Sequence, residues 1–391
     1  MGLGASFAGL DYVDIESLLT EEERMIRDSV RGFVTEEVLP VIEHHFREGT
    51  FPNALIPKVG EMGLLGANLH GYGCAGLGAV AYGLIMQELE RGDSGLRSFV
   101  SVQGGLVMYP IHAFGSEAQK ERWLPALASG EAIGSFGLTE PDHGSDPSRM
   151  KTKAVKKGDR WILNGAKAWI TNGSVADVSV VWARTDDGVR GFLVEKGAPG
   201  FTTKDHTGKF SLRASVTSEL IFQDVELPAD ALLPESSGLK SPLMCLTQAR
   251  YGIAWGVIGL AQCVYDEALQ YAKQRIMFDR PIAGFQLTQR KLAWMATEIT
   301  KSQLLNLHCG RLKEAGKLTP QQVSMAKMNG CRVARESTHL AREILGANGV
   351  ADEYQTGRHF CNIEAVYTYE GTDDIHTLIV GQQLTGIPAF E

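Results

Sequence analysis

The apolar residues of this 391-residue chain change their period twice. From about residue 16 to 132 they recur at helical spacing. From about 133 to 242 they fall in short alternating runs, and from 243 onward the helical spacing returns and persists. A helix buries a stripe of period 3.6 and a strand a face of period 2, so one local geometry cannot serve both patterns. The chain is therefore expected to be α+β, mainly α. The reading gives an N-terminal helical domain over 1–132, a middle β domain (a small sandwich or barrel) over 133–242, and a C-terminal four-helix bundle over 243–391.

Local signals sharpen this reading. Thr20 precedes an acidic first turn, and Ile26, Val30, Phe33, Val34 and Val38 follow at helical spacing until Pro40. Further helical patterns run from Pro52 to Leu65, Val80 to Glu90, Ser98 to Phe114 and Ser116 to Ser129. Residues 161–165, 178–183, 191–194 and 219–222 read as strands, bounded by turns such as Lys157-Gly158-Asp159 and Asp186-Asp187-Gly188. Leu246–Arg275, Gln286–Ala315, Pro320–Leu345 and Thr372–Thr385 supply the bundle.

Several function classes fall away. A net charge of −8 argues against a general nucleic-acid binder. The six cysteines are scattered without a C-x-x-C pair, as expected of reduced thiols. The ten histidines contain no H-E-x-x-H, so no metal site is expected. The apolar run Gly252–Leu260 is too short to span a membrane, and no segment has the build of a signal peptide. Two segments imitate known motifs. Gly71-Tyr72-Gly73-Cys74-Ala75-Gly76 matches G-x-G-x-x-G but lacks a βαβ setting, so it reads as a glycine-rich loop. Gly92-Asp93-Ser94-Gly95 lacks the strand-turn-helix setting of a serine hydrolase.

Three polar stretches set in apolar sequence carry the candidate chemistry. Phe136-Gly137-Leu138-Thr139-Glu140-Pro141 with Gly144-Ser145-Asp146 offers hydroxyls and free amides. Lys167-Ala168-Trp169-Ile170-Thr171-Asn172 offers an aromatic face beside a hydroxyl. Together they suit a flat cofactor, although turn-rich β loops often contain such residues. In Tyr369-Glu370-Gly371-Thr372-Asp373-Asp374-Ile375 a lone carboxylate precedes a helix that Thr372 is fitted to cap. The helix terminus lowers the pKa of such a glutamate and an apolar pocket raises it, which is how a general base is tuned. Taken alone, the stretch also reads as a solvated glutamate before an ordinary cap.

With Arg275-Ile276-Met277-Phe278, these stretches in this order resemble the signature of the acyl-CoA dehydrogenase flavoproteins, over essentially the whole chain. Glu88 to Ser98 and Ala249 to Gly256 resemble the glutaryl-CoA dehydrogenase branch. The resemblance implies FAD as cofactor. It assigns Phe136, Leu138, Thr139, Gly144 and Ser145 to the flavin edge and pyrophosphate, Trp169 to stacking with its neighbour Ile170, and Thr171 to the flavin ring. It assigns Arg275, Phe278, Gln286, Leu345, Gly346 and Gly349 to the FAD of a neighbouring subunit, and Thr372 to a phosphate. Sharing FAD in this way implies a homotetramer, a dimer of dimers. Asp279 departs from the pattern, since many relatives have glycine after the position of Phe278.

The same resemblance makes Glu370 the catalytic base, with its own backbone N–H stabilising the enolate oxygen. Tyr369 and Gly371 shape the pocket, Arg250 lies near substrate and base, and Leu243 and Leu246 line the thioester end, although those two leucines read equally well as bundle core. Arg97 with Ser98 is the expected anchor of a substrate's distal carboxylate, because a guanidinium keeps its charge and planar fork when desolvated. Glu90 lies seven residues before Arg97 and shares its face only if the helix between them is continuous, which Gly92 and Gly95 oppose. Glu90 and Tyr369 match the branch members that decarboxylate. The expected reaction is therefore glutaryl-CoA to crotonyl-CoA and CO2, with electrons passing to electron-transfer flavoprotein. The alternatives are another short-chain acyl-CoA, a glutaryl-CoA dehydrogenase that does not decarboxylate, and a non-catalytic regulatory flavoprotein. The expected location is a bacterial cytoplasm, or the mitochondrial matrix for a mature eukaryotic chain.

Overall fold

The computed structural model describes residue 7 and residues 9–390; the extreme ends of the two expected outer domains, residues 1–6, 8 and 391, lie outside the described residues. The first long helix, α1 (Glu21–Phe33), opens on a capping box: the Thr20 hydroxyl accepts from the Glu23 amide, and the Glu23 carboxylate accepts from the Thr20 amide. Pro40 does not end the helical path. A π-helical turn, Val34–Val38, leads into α2 (Leu39–Glu48), where Pro40 sits in the first turn and its missing N–H costs nothing. The pattern from Pro52 supports only a 3-10 turn and the six-residue α3 (Ile56–Glu61). The G-x-G-x-x-G look-alike is irregular loop.

Next come α4 (Ala79–Gly92) and α5 (Ser94–Ser101), parted by the single extended residue Asp93. The pattern read as one helix from Ser98 is α5, a π-helical stretch Val102–Met108, and α6 (Tyr109–Phe114). A second capping box, Ser116 with Gln119, opens α7 (Glu117–Ser129).

The middle region is one curled sheet of seven strands: β1 (Gly134–Gly137), β2 (Lys153–Lys157), β3 (Arg160–Thr171), β4 (Val178–Thr185), β5 (Gly188–Glu195), β6 (Phe201–Asp205) and β7 (Thr217–Pro228). β4 pairs with β5, with β1 and with β2, and the path continues from β2 through β3 and β7 to β6. Strand β4 explains how the sheet joins the helices. Val178, Val180 and Trp182 pack into the N-terminal helical core, while the alternate residues Val181 and Ala183 pack into the sheet's own core with Phe192, Leu220 and Phe222.

The C-terminal bundle holds α8 (Lys240–Gln274), the short hairpin β8 (Ile276–Met277) and β9 (Arg280–Pro281), then α9 (Gln286–Glu314), α10 (Pro320–Leu345), α11 (Gln355–Thr368) and α12 (Asp373–Thr385). Helix α11 joins the four read from the sequence. α4 lies close against α8, and a Cβ at Gly259 of α8 would stand 1.8 Å from the Gln87 carbonyl oxygen. That contact brings the N-terminal domain onto the bundle where both contribute to the candidate site. No helix among the described residues is long and apolar enough to cross a membrane.

Candidate active site

Helix α11 ends at Thr368, α12 begins at Asp373, and the turn between them carries Glu370. The Thr372 hydroxyl caps α12 by accepting from the Ile375 amide at 3.2 Å. Glu370 adopts a left-handed backbone, φ 58°, which a β-carbon disfavours and which surrounding structure must hold. Gly371 follows at φ 100°, where a Cβ would stand 2.9 Å from His376 Nε2, so the position demands glycine.

Two buried cations hold this turn by its backbone. Arg250 Nε donates to the Glu370 carbonyl at 2.6 Å. Lys327 Nζ donates to the carbonyls of Gly371 at 2.9 Å and Tyr369 at 3.1 Å. The carboxylate is left without such contacts: Oε2 is buried and has no hydrogen-bond partner among the described residues. Desolvation pushes the Glu370 carboxyl up to about 7, against the attraction of Arg250, Arg97 and Lys327. A carboxylate so tuned accepts a proton near neutral pH.

A second cluster meets this turn from the N-terminal domain. The helix from Glu90 to Arg97 is broken at Asp93, yet the two side chains still meet. Arg97 Nε donates to Glu90 Oε2 at 2.7 Å, and Ser94 Oγ donates to Glu90 Oε1 at 2.7 Å. Arg97 Nη2 donates to the Tyr369 hydroxyl, whose oxygen lies 3.2 Å from Ser98 Oγ. Arg97 is only 1% exposed. Gly256 of α8 makes room for the pair, since a Cβ there would stand 2.1 Å from Glu90 Oε2. Asp93 caps α5 through the Gly95 amide at 2.6 Å and is bound by Arg358 at 3.1 Å and Asn362 at 2.8 Å, both on α11. The helix that delivers Glu370 is thus tied to the break that delivers Arg97.

The third group lies on the sheet. Trp169 sits at φ 61°, where the β3–β7 register shifts between Lys167 and Ile170. That irregularity turns its indole outward, 64% exposed, stacked on His206 with centroids 4.5 Å apart. Thr171 beside it is half-buried, while Ile170 and Phe136 are buried, so those two present mainly backbone. Leu138 is buried, Thr139 half-buried, and Gly144 and Ser145 are exposed. The loop bearing them is pinned by Glu140, which accepts from Lys167 Nζ at 2.9 Å and from the amides of Lys151 and Thr152 at 2.5 and 2.8 Å. A large exposed ring beside hydroxyls and an anchored loop fits the flat ring system and phosphates of a flavin nucleotide.

Arg275, Phe278 and Gln286 are all exposed, where α8 gives way to the hairpin and α9; Phe278 is 86% exposed. Gly346 is exposed, whereas Leu345 is bundle core and Gly349 packs against the Arg342 backbone. Leu243 is exposed and Leu246 half-buried, so neither is fully buried core. Among the described residues, direct contacts unite Glu370, Tyr369, Gly371, Arg250, Arg97, Ser98 and Glu90, and no hydrogen bond or ion pair joins them to the Trp169 group. Sequence reasoning missed Lys327 and the pinning role of Glu140. A lysine within an amphipathic helix gives no local sign of burial, whereas Lys167, set between Ala166 and Ala168 beside Trp169 and Ile170, does hint at a buried partner.

Comparison with known proteins gives matches along almost the whole chain. Models for three domains of the acyl-CoA dehydrogenase family match in order: the N-terminal domain at residues 20–131, the middle domain at 135–225 and the C-terminal domain at 236–385. The mitochondrial short-chain specific acyl-CoA dehydrogenase of Bos taurus is 37% identical over 380 residues, covering 95% of this chain and 92% of its own. The crystal structure of a glutaryl-CoA dehydrogenase from Mycobacterium smegmatis is 56% identical with a TM-score of 0.96, covering 97% of this chain and 99% of that one. A glutaryl-CoA dehydrogenase structure from the same organism in complex with FADH2 is 50% identical with a TM-score of 0.97, covering 98% and 100%.

Proposed function

The chain belongs to the acyl-CoA dehydrogenase family, and from that premise we propose that it oxidises and decarboxylates glutaryl-CoA to crotonyl-CoA and CO2. Its class, an acyl-CoA dehydrogenase-type oxidoreductase of FAD-dependent chemistry, comes with the family. The substrate reading rests on one observation: a nearly sealed arginine, Arg97, contacts the hydroxyl of the residue that precedes Glu370.

Bound FAD supplies the oxidant that takes up the β-hydrogen of the thioester as hydride. Leu138, Thr139, Ser145, Trp169 and Thr171 hold it in one protomer, with Thr372 at a phosphate. Arg275, Phe278 and Gln286 reach it from a neighbour in a homotetramer. Phe136, Gly144, Ile170, Leu345, Gly346 and Gly349 serve these contacts through backbone and shape. Glu370 removes the α-proton through its carboxylate. The Glu370 N–H, which has no protein acceptor among the described residues, donates to the thioester oxygen as charge develops there. Leu243 and Leu246 border the thioester end.

Arg97 and Ser98 bind the distal carboxylate. Arg97 Nη1 has no protein partner among the described residues and is available for that bond. Glu90 offsets the charge of the guanidinium until substrate arrives. When the carboxylate carbon leaves as CO2, its electron pair delocalises into the thioester, and protonated Glu370 returns its proton to the product. Tyr369, hydrogen-bonded to Arg97 and Ser98, sits where it bears on that loss. Electrons then pass to electron-transfer flavoprotein.

The 37% identity to a short-chain specific enzyme favours a second reading, a short monocarboxylic acyl-CoA. Supplying glutaryl-CoA with an artificial acceptor and identifying the products separates the two. Crotonyl-CoA and CO2 are expected. Glutaconyl-CoA as the end product would refute decarboxylation, and an unreduced flavin would refute the substrate. Arg97→Ala is expected to cut kcat/KM for glutaryl-CoA by roughly a hundredfold or more, the cost of an unpaired buried carboxylate, while sparing butyryl-CoA.

A further inference from the structure

We propose that Lys327 is the positioning residue of the base: it fixes the left-handed turn at Glu370, and its charge favours the ionised form of that carboxylate. This rests on the reading of Glu370 as the base.

Lys327 lies on α10 and is 1% exposed. An ammonium so buried has lost its hydration and requires full compensation. Among the described residues it forms no ion pair within 4.0 Å; its donors meet the carbonyls of Gly371 at 2.9 Å, Tyr369 at 3.1 Å and Tyr367 at 3.5 Å. The last of these lies in the final turn of α11, the negative end of that helix, where a cation is favoured. With Arg250 on the Glu370 carbonyl, the three consecutive carbonyls from 369 to 371 are all committed to cations. A neutral cap would satisfy the backbone alone. The charge has a further consequence, because the nearby carboxylate has an unpartnered oxygen and responds to the local field.

The charged and titratable groups around the turn are Arg250 and Cys245 from α8, Arg97 from α5, Tyr82 from α4, Cys331 beside Lys327 on α10, Asp373 and His376 from α12, and Tyr369 within the turn. Burial, then Lys327 and Arg250, press His376 down to about 3, so it adds no charge at working pH. Burial pushes the Cys245, Cys331, Tyr82 and Tyr369 groups up, so they stay neutral. Asp373 is already paired with Arg332. Arg97 is likewise paired with Glu90, so Lys327 and Arg250 remain as the cations without a carboxylate partner.

The test uses the FAD-loaded enzyme as wild type, Lys327→Gln, Lys327→Met and Lys327→Arg. The readouts are the pH profile of flavin reduction by acyl-CoA and, without substrate, an infrared titration of the Glu370 carboxyl band, assigned by its loss in Glu370→Gln. In Lys327→Gln both midpoints are expected to rise by about half a unit to one unit. That is roughly a three- to tenfold loss on the acid limb, with the alkaline plateau largely kept. Lys327→Met is expected to shift equally and also to lose the plateau, and Lys327→Arg to restore the wild-type midpoint. An unmoved infrared midpoint in Lys327→Gln overturns the proposal, whatever happens to the plateau; should that variant not fold, Lys327→Arg with a midpoint displaced upward overturns it instead. A wild-type flavin that no acyl-CoA reduces, with an infrared midpoint that still moves, sinks the reading of Glu370 as base and leaves the electrostatic coupling standing.

Discussion

Glu140 in the sheet region and Glu370 in the bundle are the same side chain placed among buried cations, with opposite results. Lys167 and two backbone amides contact the Glu140 carboxylate itself. Burial opposes its charge, but those bonds outweigh burial and hold it down at about 2. At Glu370 the cations contact the backbone instead, the carboxylate keeps an orphaned oxygen, and burial wins, leaving it near about 7. A cation therefore fixes a carboxylate as a structural anchor or leaves it able to take a proton near neutral pH according to which atom it touches. Distance to the residue as a whole does not decide it.

The largest test of this contrast is Glu370→Gln. Flavin reduction by acyl-CoA should fall roughly a hundred- to ten-thousandfold, the usual worth of a positioned base, with the bound flavin spectrum retained. Near-normal turnover in stopped-flow measurements would break the comparison at once. Glu140→Gln should instead act on folding. Leaving Lys167 buried and unpaired costs about 3–5 kcal/mol in denaturant unfolding, and the folded fraction should keep a normal acid limb.

The two sites should also respond to acid in opposite senses. The folded pKa of Glu140 lies below its ordinary 4.5, so its contribution is full above 4.5 and is lost as pH falls toward 2. The folded pKa of Glu370 lies above 4.5, so its ionised form costs stability above about 7, and protonation relieves that cost as pH falls toward 4.5. Thermal melts should therefore show wild type less stable than Glu370→Gln at pH 8 and level with it near pH 4.5, while its advantage over Glu140→Gln shrinks only below that pH. The smallest effect is expected from Thr372→Ala, about 1 kcal/mol for a lost cap, with no counterpart at Glu140, whose loop opens no long helix.

Legibility in the sequence followed locality. The capping boxes at Thr20 and Ser116 and the cap at Thr372 depend on residues three apart, and the cap at Thr372 and the acidic first turn after Thr20 are legible in the sequence. Pro40 misled because a proline tolerated in a first turn looks the same in sequence as one that ends a helix. Glu90 and Arg97 share a face on a continuous helix alone, which Gly92 and Gly95 oppose, so sequence reasoning gave no firm ground for their contact. It forms instead across a break, because Asp93 caps a new helix and α11 holds Asp93 in place. The β2 and β6 strands went unread because their residues are mostly exposed and charged or polar, so they carry little apolar alternation.

What the sequence determined by itself was the succession of helical, sheet and helical units, the cap at Thr372 and the ordered motifs that mark the family, since each is written in neighbouring residues. What only the tertiary structure decided was the chemistry of Glu370. Its backbone is held by Arg250, 120 positions away, and by Lys327, while Arg97 reaches the hydroxyl of Tyr369 from 272 positions away. Desolvation and Coulomb fields act through space, so the pKa of a buried carboxylate belongs to the packing around it and not to the residues beside it in the chain.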